Sequence, residues 1–445
     1  MSSAAGGGAA TGPVQRLIAR LALVEPRETA TVVTAFILFF FVLGSYFAVR
    51  PVRETVATSL GGAKVADLWL FTAGFSLLIV PLYGWLVTRI RRAILLPAIY
   101  GVVAAVLAAF ATLLVVHQSA AAYGAAFYVW ISVINLMLVS VFWSFLLEIF
   151  SREQTKRLFG FIAAGGTAGA LVGPLATRLL VDSIGVPGVL YMSAAGFVGA
   201  ILCQRTLLSV WRRTDGNTSG VSVSERGIGT NPFAGIMIVL RTPYLLGIAL
   251  FVVCLSFINT FFYFEQLRLV EATISDETRR TEIFANIDIA VQSLTILSQL
   301  FLTSRIARFF GVRSLLTIVP IVMVIACLVL SAFNTFIVVA LALVARRWGE
   351  YAFVRPGREM LWSRFDPETK YKAKNVIDVP VYRAADYLGA QGKEKGLDKL
   401  DIGPDVAAIL AAVIAAGWAL IGWWLGRRHD RDVPAGTKPE AQATR

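Results

Sequence analysis

The chain has little of what soluble enzymes and metalloproteins rely on. Histidine occurs twice in 445 residues, at His117 and His429, far apart and at the ends of apolar spans. Neither a metal centre nor a triad can be assembled from two such residues. Cysteine occurs three times, at Cys203, Cys254 and Cys327, each isolated in an apolar run, which argues against a disulfide framework and a zinc cluster. No Gly-rich phosphate loop and no nucleophile–base pairing stands out, so an enzyme is not expected and no cofactor is called for. Charge is scarce too: 16% of residues are Asp, Glu, Lys or Arg, against about a quarter in soluble domains. The first 28 residues lack an h-region followed by an A-x-A-like site, so no cleavable secretory signal is expected. Val14 to Val24, with Arg16 and Arg20 four apart, reads equally well as a short interfacial helix or a frayed tail.

What is present is apolar length. Hydrophobic residues make up 57% of the chain and the mean hydropathy is +0.71, with repeated runs near the roughly 20 residues that cross a bilayer. Spans fall near 31–49, 64–87, 93–116, 121–147, 158–181, 187–208, 244–264, 283–303, 313–333, 335–361 and 403–425. A polar stretch, 372–391, broken by Pro380, is counted as a further span because the sidedness of Lys and Arg demands it. With twelve spans both termini are cytoplasmic, beside the basic tail. The net charge of +13 is dispersed between spans, as topology requires, so nucleic acid is not an expected partner. The expected partners are the lipid bilayer and a small anionic solute, and a monomer is expected.

The two halves look alike. Arg305 follows span eight as Arg89 follows span two, 216 residues earlier, and Lys370 stands 214 residues after Lys156. The organisation expected is a cytoplasmic N-terminal segment (1–28), a six-helix half (29–208), a linker rich in Gly, Ser and Thr (209–235), a second six-helix half (236–426) and a basic tail (427–445). Parallel repeats of this kind are the plan of major facilitator transporters, with substrate bound between halves near the bilayer midplane. The fold class expected is therefore an all-α polytopic membrane protein of major facilitator type.

Several residues carry candidate roles. The basic connections with Arg89 and Arg92, and with Arg305 and Arg308, resemble the loop motif of the major facilitator superfamily, where such loops hold one gating state; plain topology also collects Arg there. Gly165, Gly169 and Gly173 form one stripe that lets helices approach closely. Arg50 and Arg53 at the end of span one, and Glu265 at the corresponding end of span seven, are gating candidates, with a latch between them or simple snorkelling as the two readings. Asp288 lies inside span eight, and an intramembrane carboxylate is a functional candidate by default.

The densest charge is in ARRWGEYAFVRPGREML, where Arg346, Arg347, Glu350, Arg355, Arg358 and Glu359 follow an apolar run. Arg346 and Glu350 share a face at about 100° per residue, and Pro356 lets the helix kink. Such groups must face a water-filled cavity or one another. The next span adds Asn375, Asp378, Tyr382 and Asp386 within an arc of about 80°, with Arg383 beside them. The surplus of Arg predicts a cavity that favours anions. A purely structural salt-bridge network is the bland alternative.

Arg355-Pro356-x-Arg358-Glu359, followed by Thr369-Lys370-Tyr371-Lys372-Ala373-Lys374 and Ile377-Asp378, resembles bacterial relatives of the ATP/ADP antiporters, a nucleotide-transporter family within the major facilitator superfamily. Phe142-Trp143-Ser144-Phe145 adds to the likeness. The resemblance implies twelve helices, exchange of nucleotides such as ATP and ADP across a bacterial inner membrane, anion binding by Lys370, Lys372 and Lys374, and a lining role for Asp378. That family carries a carboxylate inside its fourth helix; here the span holds no acid between 121 and 147, and Asn135 is its polar candidate. Two other functions fit the residues. One is a proton-coupled symporter or exporter with Asp288 or Asp378 titrating. The other is a non-transporting lipid-handling or partner-anchoring protein.

Overall fold

The computed structural model describes residue 25 and residues 28–117, 121–214, 234–397 and 400–432, which are almost wholly helical, with no strand among them. Helix α1 spans Thr29–Leu60, α2 Gly62–Arg89, α3 Arg92–His117 and α4 Ala121–Ile149. Helix α5, Arg152–Thr214, holds two passes parted at Gly185, whose φ of 66° and ψ of 177° glycine alone adopts readily. A short α6 (Ala234–Arg241) precedes α7 (Pro243–Thr273), α8 (Glu277–Phe301) and α9 (Thr303–Ala332). Helix α10 (Phe336–Gly349), a π turn (Glu350–Val354) and α11 (Arg355–Leu361) run on as one pass. The next pass is α12 (Pro367–Val376), a π turn (Ile377–Val381), α13 (Tyr382–Gln391) and a third π turn (Gly392–Gly396). Helix α14, Pro404–Asp432, is the last.

Among the described residues nine stretches are long and apolar enough to cross a membrane, and one of them, Arg157–Arg213, contains both passes of α5. With the two charged passes that begin at Phe336 and Pro367, the chain makes twelve. The charged pass starting at Pro367 is longer than the sequence suggests. Asp366 caps it, accepting from the Thr369 amide at 2.9 Å, and Pro367 sits where a missing N–H does no harm. Val14–Val24 and residues 215–233 of the linker lie outside the described residues. Large apolar side chains such as Leu341 and Leu420 are about two-thirds exposed (66% and 69%), as lipid-facing positions must be.

Contacts divide the chain into two compact units. The first comprises Met1–Val52, Ile79–Ser119 and Val133–Ser224; the second comprises Arg53–Leu78, Ala120–Ser132 and Glu225–Arg445. In the first, the glycine stripe does what its spacing predicts. A Cβ on Gly169 would overlap the Phe40 carbonyl oxygen and one on Gly173 the Gly44 carbonyl oxygen, so α1 and α5 touch backbone to backbone. Thr177 and Ser193 add hydroxyl donors to the carbonyls of Ala48 (2.8 Å) and Ser45 (2.7 Å). At the start of α5, Ser151 and Gln154 bond each other's amides as a capping box. Glu28, ahead of α1, accepts from Gln154 and Arg157, each at 2.8 Å.

The second unit is built on α7, α9, α10 and α14, with Phe251 against Trp418 (5.5 Å between ring centroids) and Trp362 fully buried. Helix α9 breaks at Gly311 (φ 76°). Asp430, near the end of α14, accepts from the amides of Val312 (3.1 Å) and Arg313 (3.3 Å) just past that break. It therefore serves as an N-cap supplied from another helix.

Candidate functional site

The second unit collects the charges of α8, α10, α11 and α13 in its interior. Arg347, 8% exposed, meets Asp288 of α8 at 2.6 Å, and Trp348 Nε1 donates to Ser298 Oγ at 2.7 Å, so two adjacent residues tie α10 to α8. Arg346, 5% exposed, donates to Glu350 at 3.0 Å. Arg358 stands 3.3 Å from Asp378, and Arg383 3.7 Å from Asp386. Asp386 also accepts from the Ser256 hydroxyl of α7. In these pairs five guanidinium groups share four carboxylates, because Glu350 serves both Arg346 and Arg355 (3.4 Å). Buried charges persist only when paired, so the network as a whole is held, yet one cation is in excess.

The π turn explains why Glu350 reaches Arg355. At the regular α-helical period two residues five apart lie about 140° round the helix from each other. Here the Arg355 amide bonds to the Glu350 carbonyl, closing a wider turn that carries Arg355 back toward Glu350. Pro356 is the local cause of irregularity, since it cannot donate to the carbonyl four residues earlier. That carbonyl, of Ala352, instead accepts from the Thr303 hydroxyl at 2.8 Å, and Gln299 donates to the neighbouring Tyr351 carbonyl at 3.3 Å. Arg355 is 57% exposed along its side chain and packs over the Tyr351 ring, 4.7 Å from its centroid. The second π turn contains Asp378 and Pro380. π turns inside helices are frequent at functional sites.

Other sequence candidates fall less centrally. Lys370, Lys372 and Lys374 lie half-buried on α12, and Lys374 pairs with Glu359 at 2.6 Å. Asn135 is half-buried in the first unit. Arg50 stacks over Phe47 (5.7 Å). Arg53 pairs with Glu54, while Glu265, almost wholly buried, takes Lys393 (2.8 Å) and Arg268 (2.5 Å) as partners. Glu265 is the residue for which the sequence leads to the expectation of a latch with Arg50 or Arg53. Arg89 lies over Trp85 (4.9 Å) and Arg305 is exposed, while the side chains of Arg92 and Arg308 lie outside the described residues.

Sequence reasoning misses Ser256, Tyr351 and Thr303, and also a second polar cluster near Gly61. There Trp69 Nε1 donates to Tyr128 Oη (2.8 Å), which bonds Tyr263 Oη (2.9 Å); Thr55 meets Thr281 (2.7 Å), and Lys395 meets Asp67 (2.5 Å). Arg280 donates to the Ile274 carbonyl (2.7 Å) and to Thr58 (3.3 Å). These contacts join the near ends of α1, α2 and α4 to α7, α8 and the third π turn (Gly392–Gly396) within one unit. The only sequence signal is aromatic and charged residues at span ends, which reads as an ordinary interfacial belt.

No protein-family model and no curated protein matches the sequence. Solved structures do match. A bacterial homolog of the human lysosomal transporter Spinster, in an inward-facing and unoccupied conformation, is 12% identical, with 92% of this chain and 99% of that one covered and a TM-score of 0.57. The nucleoside transporter NupG is 13% identical (92% and 100% covered, TM-score 0.57), and a D-xylose–proton symporter 16% (89% and 97% covered, TM-score 0.56). Sharing end-to-end coverage with these proteins and twelve helical passes of its own, the chain has the major facilitator-type fold of an all-α polytopic membrane protein.

Proposed function

We propose that the protein is a secondary transporter that moves an organic anion by alternating access between halves 29–208 and 236–426, with both termini cytoplasmic in a bacterial inner membrane and the protein working as a monomer. The observation that carries this reading is the network in which five guanidinium groups, four of them largely buried and Arg355 exposed, share four carboxylates. A site with an accessible cation to spare selects for negative charge, and guanidinium matches phosphate oxygens two at a time. A phosphorylated metabolite is therefore the first choice of substrate. A nucleotide is the specific candidate, supported by the resemblance of the Arg355–Asp378 segment to the ATP/ADP antiporters. Arg346, Arg347, Arg355 and Arg358 supply the field, with Lys370, Lys372 and Lys374 of α12 as auxiliary cations.

Thermal stabilisation of the purified protein across nucleotides, sugar phosphates, dicarboxylates and lysolipids tests this, since a ligand that binds only the folded state raises its stability. Stabilisation by ATP or ADP, lost in Arg346→Ala, supports the nucleotide reading. Stabilisation by a lysolipid alone refutes anion transport. Proton coupling is a second reading, favoured by Asp386. Its guanidinium partner Arg383 stands at 3.7 Å, whereas Asp288, Glu350 and Asp378 have one within 3.3 Å. A pH gradient that drives uptake would select it.

A further inference from the structure

We propose that Glu350 is a resident stand-in for the transported anion, holding in the empty carrier the Arg346–Arg355 pair that the substrate takes over. This inference rests on the anion-transport reading and names the residue that makes transport an exchange. Its ground is how Glu350 is held. Oε2 faces Arg346 at 3.0 Å and Oε1 faces Arg355 at 3.4 Å, so one carboxylate bridges two guanidinium groups. Asp378 and Asp386 instead meet one guanidinium each, Arg358 and Arg383.

The two ends of the bridge differ. The Arg346 side chain is 6% exposed and that of Arg355 is 57% exposed. The exposed contact, at 3.4 Å, is also well beyond the 2.7–2.9 Å or so of a strong charge-assisted bond. An anion can therefore engage Arg355 first and displace one carboxylate oxygen before the other. Arg346 has donor capacity left to receive it, because its buried Nε has no hydrogen-bond partner. A phosphate with two oxygens to offer then spans both guanidinium groups, which is the geometry that Glu350 imitates. Once displaced, Glu350 is a carboxylate without its partners next to a bound anion. It returns when the anion leaves, so the two guanidinium groups have an anionic partner both when the site is loaded and when it is empty.

Removing the stand-in should strengthen anion binding rather than weaken it, which is opposite to the effect of breaking a purely structural salt bridge. The test uses the purified full chain in detergent, with inorganic phosphate and pyrophosphate as probes, chloride as the ionic-strength control, and thermal stabilisation as the readout. In Glu350→Gln the concentration giving half-maximal stabilisation should fall at least about tenfold, equivalent to ~1.4 kcal/mol. Adding Arg355→Gln should abolish the gain. Should Glu350→Gln fail to fold, Glu350→Asp keeps the charge but is too short to bridge both guanidinium groups. It should also bind phosphate more tightly than the unaltered protein. Equal stabilisation of the unaltered protein and both variants overturns the proposal and leaves anion transport standing. Stabilisation of none of them by either probe overturns both.

Discussion

Replacing Asp288 with Asn should be among the costliest single changes in the second unit. The carboxylate stands 2.6 Å from Arg347, and the two side chains are 4% and 10% exposed. Asn keeps the volume and removes the charge, leaving a guanidinium in a dry interior. Breaking a buried pair in this way costs about 3–5 kcal/mol, mostly the penalty of the orphaned charge rather than the lost attraction. Lys374 and Glu359 give the control. They are also 2.6 Å apart, but 30% and 51% exposed, and a pair that water can reach contributes about 0–1 kcal/mol. Distance being equal, burial alone separates the two expectations. The assay is equilibrium unfolding in mixed micelles, with added sodium dodecyl sulfate as denaturant and tryptophan fluorescence as readout. Asp288→Asn should lose several times as much stability as Glu359→Gln. Asp288→Leu combined with Arg347→Met should recover most of the loss, because an apolar pair carries no desolvation penalty. Equal losses in the two single variants, or a double variant as unstable as Asp288→Asn, would refute the reasoning.

Thr303→Val should cost about 1–3 kcal/mol in the same unfolding assay, since it leaves the Ala352 carbonyl without the donor that compensates for Pro356. Gly169→Val should cost at least about 3 kcal/mol, visible as loss of monodisperse protein in detergent, because its side chain meets backbone rather than a movable group. Burial opposes the charge on Glu28, but hydrogen bonds from Gln154 and Arg157 outweigh it and hold the carboxyl below the ordinary range. A folded value below the unfolded one means stabilisation that is complete above the unfolded pKa and lost as pH falls through the folded one. Glu28→Gln should thus be less stable than the unaltered protein at neutral pH, and melting curves should converge below about pH 4.

Much of the architecture is legible in the sequence because lipid imposes it. Apolar runs near 20 residues mark most passes, and the stripe Gly165, Gly169, Gly173 marks the α1–α5 contact. The pairing of Arg346 with Glu350 follows from the regular helical period. The pairing of Arg347 with Asp288 does not, because partners on separate passes leave no spacing to read. Arg355 is hidden for another reason. The regular period sets it well away from Glu350, and Pro356 signals a kink without saying that a π turn will form. The cluster of Trp69, Tyr128 and Tyr263 is assembled from three helices, and each residue alone looks like an interfacial anchor.

The π turn at Glu350–Val354 also has a mechanical side. It stores one residue more than an α turn would hold, a spare step in the screw. Drawing that step out would turn everything beyond it by about 100° and advance it by about 1.5 Å relative to α10. Arg355 and Arg358 would then swing off their carboxylates together, with no hinge in the loops on either side. Ala352 and Tyr351 would keep or lose their borrowed donors from Thr303 and Gln299 in the same movement. A cross-link from residue 303 to residue 352 would therefore jam the screw, while the same link between two turns of α10 would leave it free to run.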